Sequence, residues 1–267
     1  MEKTLSELAV GVLLTADPVE KARAAQHAAA AWRKSPDMPV GQAITPRRPA
    51  RPSRPVLTPP RDVPRRKITS GETGRIALLH ALAHIELNAI DLAFDIIARF
   101  TDQNLPRAFY EDWIAVGEDE ARHYLLLADR LAELGAAYGD MTAHDGLWLA
   151  AEETADDLLA RLAIVPLVLE ARGLDVTPAM VDKLRSVGDA RSADILQLIH
   201  DEEIAHVAAG MRWFSDVCGK RGLDAAETYG ALVRARFRGH LKPPFNRASR
   251  DAAGLPPDFY EPLASDP

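Results

Sequence analysis

A chain of 267 residues with 47% hydrophobic content is long enough to bury a sizeable core. Its single cysteine, Cys218, excludes an internal disulfide and a thiolate metal cluster, and a net charge of -7 argues against nucleic acid as the main partner. The start, Met1-Glu2-Lys3-Thr4, leads into a short amphipathic stretch without a signal-type core, so a soluble cytoplasmic protein with no membrane partner is expected.

The hydrophobic period is helical throughout, Ala, Leu, Glu and Arg dominate the periodic stretches, and no period-2 strand stands out, so the fold class is all-α. Residues 4–15 and 18–33 read as two short helices of an N-terminal segment, 1–35, the second opened by Asp17 as N-cap and Pro18 in the first turn. Nine prolines then fall between Pro36 and Pro64, with Arg47, Arg48, Arg51, Arg54, Arg61, Arg65, Arg66 and Lys67 clustered among and just after them. Segment 36–70 therefore reads as an extended, polyproline-like arm packed along its own bundle or a dimer mate, with polyanion binding as the alternative.

A bundle is expected over 71–238. Ser70-Gly71-Glu72-Thr73 resembles a capping box before a helix over 72–100, and Leu105-Pro106 starts a second that ends near Gly135. A longer connection, Ala136 to Leu147, reaches a third helix over 151–172, where Gly173 supplies the stop. Thr177-Pro178 then caps a short helix, Asp189 opens a fourth main helix to about Cys218, and a last helix over 224–236 leads into a Pro-rich tail, 239–267.

Within these helices one pattern occurs twice. Glu86 precedes Glu120-Ala121-Arg122-His123 by 34 residues, and Glu170 precedes Glu203-Ile204-Ala205-His206 by 33. Residues three apart share a helix face, so each Glu-x-x-His aims a carboxylate and an imidazole at one point. An interval of that size is one long helix plus a turn, the repeat of a helical hairpin. Four antiparallel helices carrying Glu86, Glu120, His123, Glu170, Glu203 and His206 inward make a two-metal carboxylate site. Glu86 lies in an apolar run around Leu82, Leu87 and Ile90, and Glu170 follows Ile164-Val165-Pro166-Leu167-Val168-Leu169. An ionised carboxylate buried alone costs several kcal/mol or protonates, and a divalent cation removes that penalty.

The neighbours refine the picture. His200, one turn before Glu203, is either a partner that orients a ligand or a satisfied core histidine. Gly117 and Gly210 leave room for substrate or O2, or let helices pack closely. Pro166 is expected to make an ordinary core kink, with a widened turn before Glu170 as the alternative. Tyr124 is expected to face away from its neighbour His123. His80 and His84 stay outside the ligand set, because a two-residue step from His84 to Glu86 turns the helix by about 200°.

The chain resembles the ferritin-like superfamily, and more closely an uncharacterised family within it of the same layout. The resemblance is carried by His84-Ile85-Glu86-Leu87-Asn88-Ala89-Ile90-Asp91-Leu92, Asp119-Glu120-Ala121-Arg122-His123 and Glu202-Glu203-Ile204-Ala205-His206. Ala136-Ala137-Tyr138-Gly139-Asp140 and Pro243-Pro244-Phe245-Asn246 extend it over nearly the whole chain. It implies a ferritin-like four-helix bundle with two irons, or iron and manganese, at the six residues. Glu120 and Glu203 are suited to bridge the ions, and the oxygen and nitrogen donors suit these metals. The reaction it implies is O2-dependent oxidation or monooxygenation of a small molecule, with an external electron donor. More distant likeness to tRNA hydroxylases and rubrerythrin-type proteins makes tRNA hydroxylation, or peroxide and iron handling without an organic substrate, the alternatives.

Overall fold

The computed structural model describes residues 3–63, 68 and 71–264, and the described residues are helical with no strand. The chain divides into two compact units, Met1–Trp148 and Leu149–Pro267. Each takes one of the two expected hairpins.

In the first unit, α1 (Leu5–Leu13) opens on a capping box in which Thr4 Oγ1 accepts from Glu7 N–H and Glu7 Oε2 accepts from Thr4 N–H. Helix α2 (Pro18–Lys34) starts at the expected Asp17 cap. Both helices belong to the core. Leu5, Ala9, Ala25, Ala29 and Trp32 are buried, α1 packing on α3 (Glu72–Arg99) and α2 on α4 (Arg107–Glu133). The N-cap of α3 is Gly71 without a side-chain cap bond; Ser70, where the expected capping box begins, lies outside the described residues.

The Pro-rich arm is tied to the same unit by its backbone. Leu5 N–H donates to Pro39 O (3.0 Å), Ala50 N–H to Leu13 O (2.8 Å), and Thr58 N–H to Ala143 O (2.8 Å). Arg48 pairs with Asp145 and Arg51 with Asp91, so these two cations serve their own chain. Arg65, Arg66 and Lys67 lie outside the described residues.

Every residue of α3 from Glu86 to Ala98 is buried. The helix is long and apolar enough to cross a bilayer, yet 78% of its most apolar window is buried within the chain, as in a core helix.

Helix α5 (Gly146–Glu153) runs across the division between the units. In the second unit, the expected third helix proves longer and broken differently. Asp157 caps α6 (Leu158–Ile164), a π-helical turn follows over Val165–Glu170, and α7 runs over Ala171–Ser186. Gly173 is therefore not the stop, and Thr177-Pro178 does not cap a separate helix; all three lie inside α7. Pro178 cannot donate to Leu174 O four residues back, but Asn246 Nδ2 donates to that carbonyl instead at 3.1 Å, which lets the helix continue. The actual stop is Gly188 at φ +83. There Gly188 N–H reaches Arg185 O and Asp189 N–H reaches Leu184 O, each at 3.0 Å, the paired bonds of a Schellman motif.

Asp189 caps α8 (Ala190–Arg221), as expected, and α8 packs along α7 and the π-helical turn. Helices α9 (Ala225–Arg236), α10 (Arg247–Ala252) and α11 (Pro257–Tyr260) complete this unit.

Candidate metal centre

In the first unit, the buried stretch of α3 carries four strongly polar side chains besides its apolar ones, and three of them are matched. Asn88 bonds Arg51 Nη2 and His84 O at 2.7 Å each, Asp91 pairs with Lys21 and Arg51, and Asp95 chelates Arg99. Glu86 is the exception. Among the described residues it has no lysine or arginine partner, and it faces α4 residues Glu120 and His123 instead. His123 Nδ1 lies 3.4 Å from Glu86 Oε2 and 3.6 Å from Glu120 Oε2, with all three side chains buried. One ligand atom from each of the three falls within 4.8 Å of the others. The expected pairing of a lone glutamate with the first Glu-x-x-His is thus present.

The electrostatics of this triad favour a cation. Burial, with the nearby Glu120 charge adding to it, holds the Glu86 carboxyl well above the ordinary carboxylate range. Burial opposes charge on His123, but its bonds to Glu120 and Glu86 outweigh that and push its pKa up to about 11. Glu86 and His123 hold their protons firmly, and no lysine or arginine among the described residues pairs with Glu86. A divalent ion answers all three, and oxygen and nitrogen donors without thiolate suit iron or manganese.

In the second unit, Glu203 and His206 share one face of α8, with His206 Nδ1 3.6 Å from Glu203 Oε2. His206 is buried, and Glu203 Oε2 is a buried atom that accepts no hydrogen bond among the described residues. Glu170 closes the π-helical turn and is half-buried. That turn replaces the simple kink expected at Pro166: the proline withdraws one backbone donor, and the chain takes the wider winding.

A family model described as a protein of unknown function, DUF455, matches residues 14–261. The chain belongs to that family. An uncharacterized protein of Haemophilus influenzae is 41% identical over 209 residues, which cover 76% of this chain and 72% of the relative. No solved structure matches.

Around these residues of the DUF455 chain, several expectations resolve. Gly117 and Gly210 do not hold space open. A Cβ on Gly117 would meet Phe94 Cε2 at 2.6 Å, and one on Gly210 would meet Pro166 Cβ at 2.5 Å, so both allow close packing. His200 engages Ser249 Oγ at 3.3 Å and Asp201 Oδ1 at 3.4 Å. Tyr124 packs edge-on against Tyr138. His80 accepts from Gly139 N–H at 3.0 Å, and His84 meets the Tyr138 hydroxyl at 2.8 Å, so neither belongs to the triad. Sequence reasoning missed the buried Lys21, Asp91 and Arg51 cluster. Its signal, an aspartate inside the apolar run of α3, was the same one that marks Glu86.

Proposed function

We propose that this chain is a ferritin-like di-metal carboxylate protein of the cytoplasm that acts as an O2-dependent oxidase or monooxygenase on a small molecule. Glu86, Glu120 and His123 would hold one ion, and Glu170, Glu203 and His206 the other, as iron or as iron and manganese. The observation that carries this reading is Glu86, the one acid in the buried run of α3 with no lysine or arginine partner among the described residues, set against Glu120 and His123. Two such ions, when bound, supply the redox electrons and Lewis acidity that oxidation by O2 needs.

The residues of the chain supply the setting. Glu86, Glu120 and His123 are themselves buried, on helices whose buried residues also include Leu87, Ile90, Trp113 and Ile114, and a water-poor setting of this kind strengthens their pull on a cation. The i, i+3 spacing on α4 and again on α8 fixes each carboxylate beside its imidazole. Reducing equivalents come from an outside donor, since one cysteine cannot ligate a cluster.

The test is elemental analysis of protein from cells supplied with iron and manganese, beside a Glu120→Ala, Glu203→Ala double variant. Close to two ions per chain, lost in the variant, supports the reading and directs O2-consumption screens at the loaded protein. Wild type that stays metal-free after reconstitution overturns it.

A further inference from the structure

Under the Pro-rich arm of the first unit lies a cavity of about 320 Å³, walled by Arg51, Pro55, Val56, Leu57, His84 and Tyr138 among others. It opens on the opposite side of α3 from Glu86, because the two-residue step from His84 turns the helix by about 200°. It is a built feature rather than a gap under a loose strand. Val56 O accepts from Ala143 N–H (3.1 Å) and Thr58 N–H donates to Ala143 O, which pins the lip on both sides of Leu57.

The polar wall is mostly answered already. Both ring nitrogens of His84 are engaged, Nε2 with His144 O at 3.1 Å and Asn88 Nδ2 at 3.2 Å, and Nδ1 with the Tyr138 hydroxyl at 2.8 Å. Asp145 is taken by Arg48. Arg51 differs. It shares the single carboxylate of Asp91 with the buried Lys21, so two cations face one anion, and the neighbouring Asp95 is already chelated by Arg99. Its Nη1 is buried and has no hydrogen-bond partner among the described residues. The opposite wall is apolar, and Val56 and Leu57 leave 59% and 43% of their surface exposed at the lip.

We propose that this cavity binds a small organic carboxylate, its carboxyl group paired with Arg51 and its apolar body laid along Pro55, Val56 and Leu57. The volume, at the low end for ligand pockets, limits that body to a short chain or a single ring. A guanidinium that shares its one carboxylate with a second cation and lines a cavity with an apolar lip fits a carboxylate with a hydrocarbon tail better than it fits inorganic phosphate, which would leave the lip unused. The proposal stands apart from the metal reading and survives its failure.

Calorimetric titration of the full chain with hexanoate, hexanol and inorganic phosphate tests it. Hexanoate should bind at least about tenfold tighter than either control, a difference of about 1.4 kcal/mol. Val56→Trp, which fills the cavity from an exposed position that tolerates bulk, should abolish binding, and Arg51→Gln should weaken hexanoate at least about tenfold while leaving hexanol unchanged. Should Arg51→Gln fail to fold, Val56→Trp decides alone. The proposal is overturned if hexanoate does not bind, if Val56→Trp binds it as wild type does, or if hexanol or phosphate matches it.

Discussion

Asn246 Nδ2 donates to Leu174 O at 3.1 Å, and that carbonyl is the one Pro178 leaves without a helical donor. The same asparagine accepts from Ser249 N–H through Oδ1 to cap α10, and its own N–H donates to Asp175 Oδ1. Asn246→Ala removes the cap and leaves a carbonyl inside the unit unmet, at a combined cost of about 2–4 kcal/mol. Restoring a helical donor with Pro178→Ala should recover part of that loss. Urea unfolding of the two single variants and the double measures it, and simple additivity would mean the two residues do not compensate one another.

The contact of Gly210 with Pro166 makes a second prediction, because the two glycines of α8 differ only in what stands opposite. A methyl group on Gly210 would sit 2.5 Å from Pro166 Cβ, whereas one on Gly219 meets nothing within 4 Å. Gly210→Ala should therefore cost about 1–3 kcal/mol by overpacking the π-helical turn. Gly219→Ala should gain up to about 1 kcal/mol from helix propensity. Opposite shifts of the thermal midpoint are expected; equal shifts would show that the turn yields freely.

Lys21 and Asp91 are both fully buried, and Arg51 completes their cluster. Asp91→Asn takes away the carboxylate that both cations share and should cost about 3–5 kcal/mol. Replacing the pair together, with Lys21→Met and Asp91→Leu, removes the desolvation cost along with the attraction and should cost clearly less than the single change. Denaturation midpoints of the two proteins give the comparison.

Burial lowers the pKa of His84 to about 4, with Arg51 adding to the effect and the His144 carbonyl opposing it. The folded imidazole thus binds protons less readily than the unfolded one at about 6.5. Its contribution is complete above pH 6.5 and is lost as pH falls through 4, on the order of 3 kcal/mol in all. His84→Asn should flatten the fall in stability between pH 6.5 and 4, read from urea midpoints across that window. A variant that tracks wild type would assign the acid sensitivity elsewhere.

What could be read in advance follows from where each partner lies along the chain. The helix caps at Thr4, Asp17 and Asp189 are local, so their positions needed only neighbouring residues. Glu86, Glu120 and His123 were legible because an acid in an apolar run and the i, i+3 spacing are both local signals, and the hairpin repeat linked them. Asp91 gave the same signal as Glu86 but is answered by Lys21, 70 residues away, and no local pattern separates an ion-paired acid from a metal-ready one. Helix α7 outran its expected end for a similar reason: the donor that rescues Pro178 sits on Asn246, in a tail that reads as irregular. The ferritin-like bundle and the sharing of two ions by six residues rest on the repeat and the resemblance.

Metal and protons should compete at the first triad. Glu86 and His123 both hold protons more tightly in the folded protein than their ordinary values, so without metal their contribution is full at low pH and drains away as pH rises toward about 11. A divalent ion displaces those protons, so its affinity should strengthen with rising pH and its uptake should acidify an unbuffered solution. Iron(II) or manganese at about 100 times its dissociation constant should then add about 2.7 kcal/mol to stability, and a chelator should remove it. His123→Ala and His206→Ala each take one imidazole from one triad, and each should bring the metal content down from about two ions per chain to about one. Equal loss of both ions in either variant would mean that the two triads fill only together.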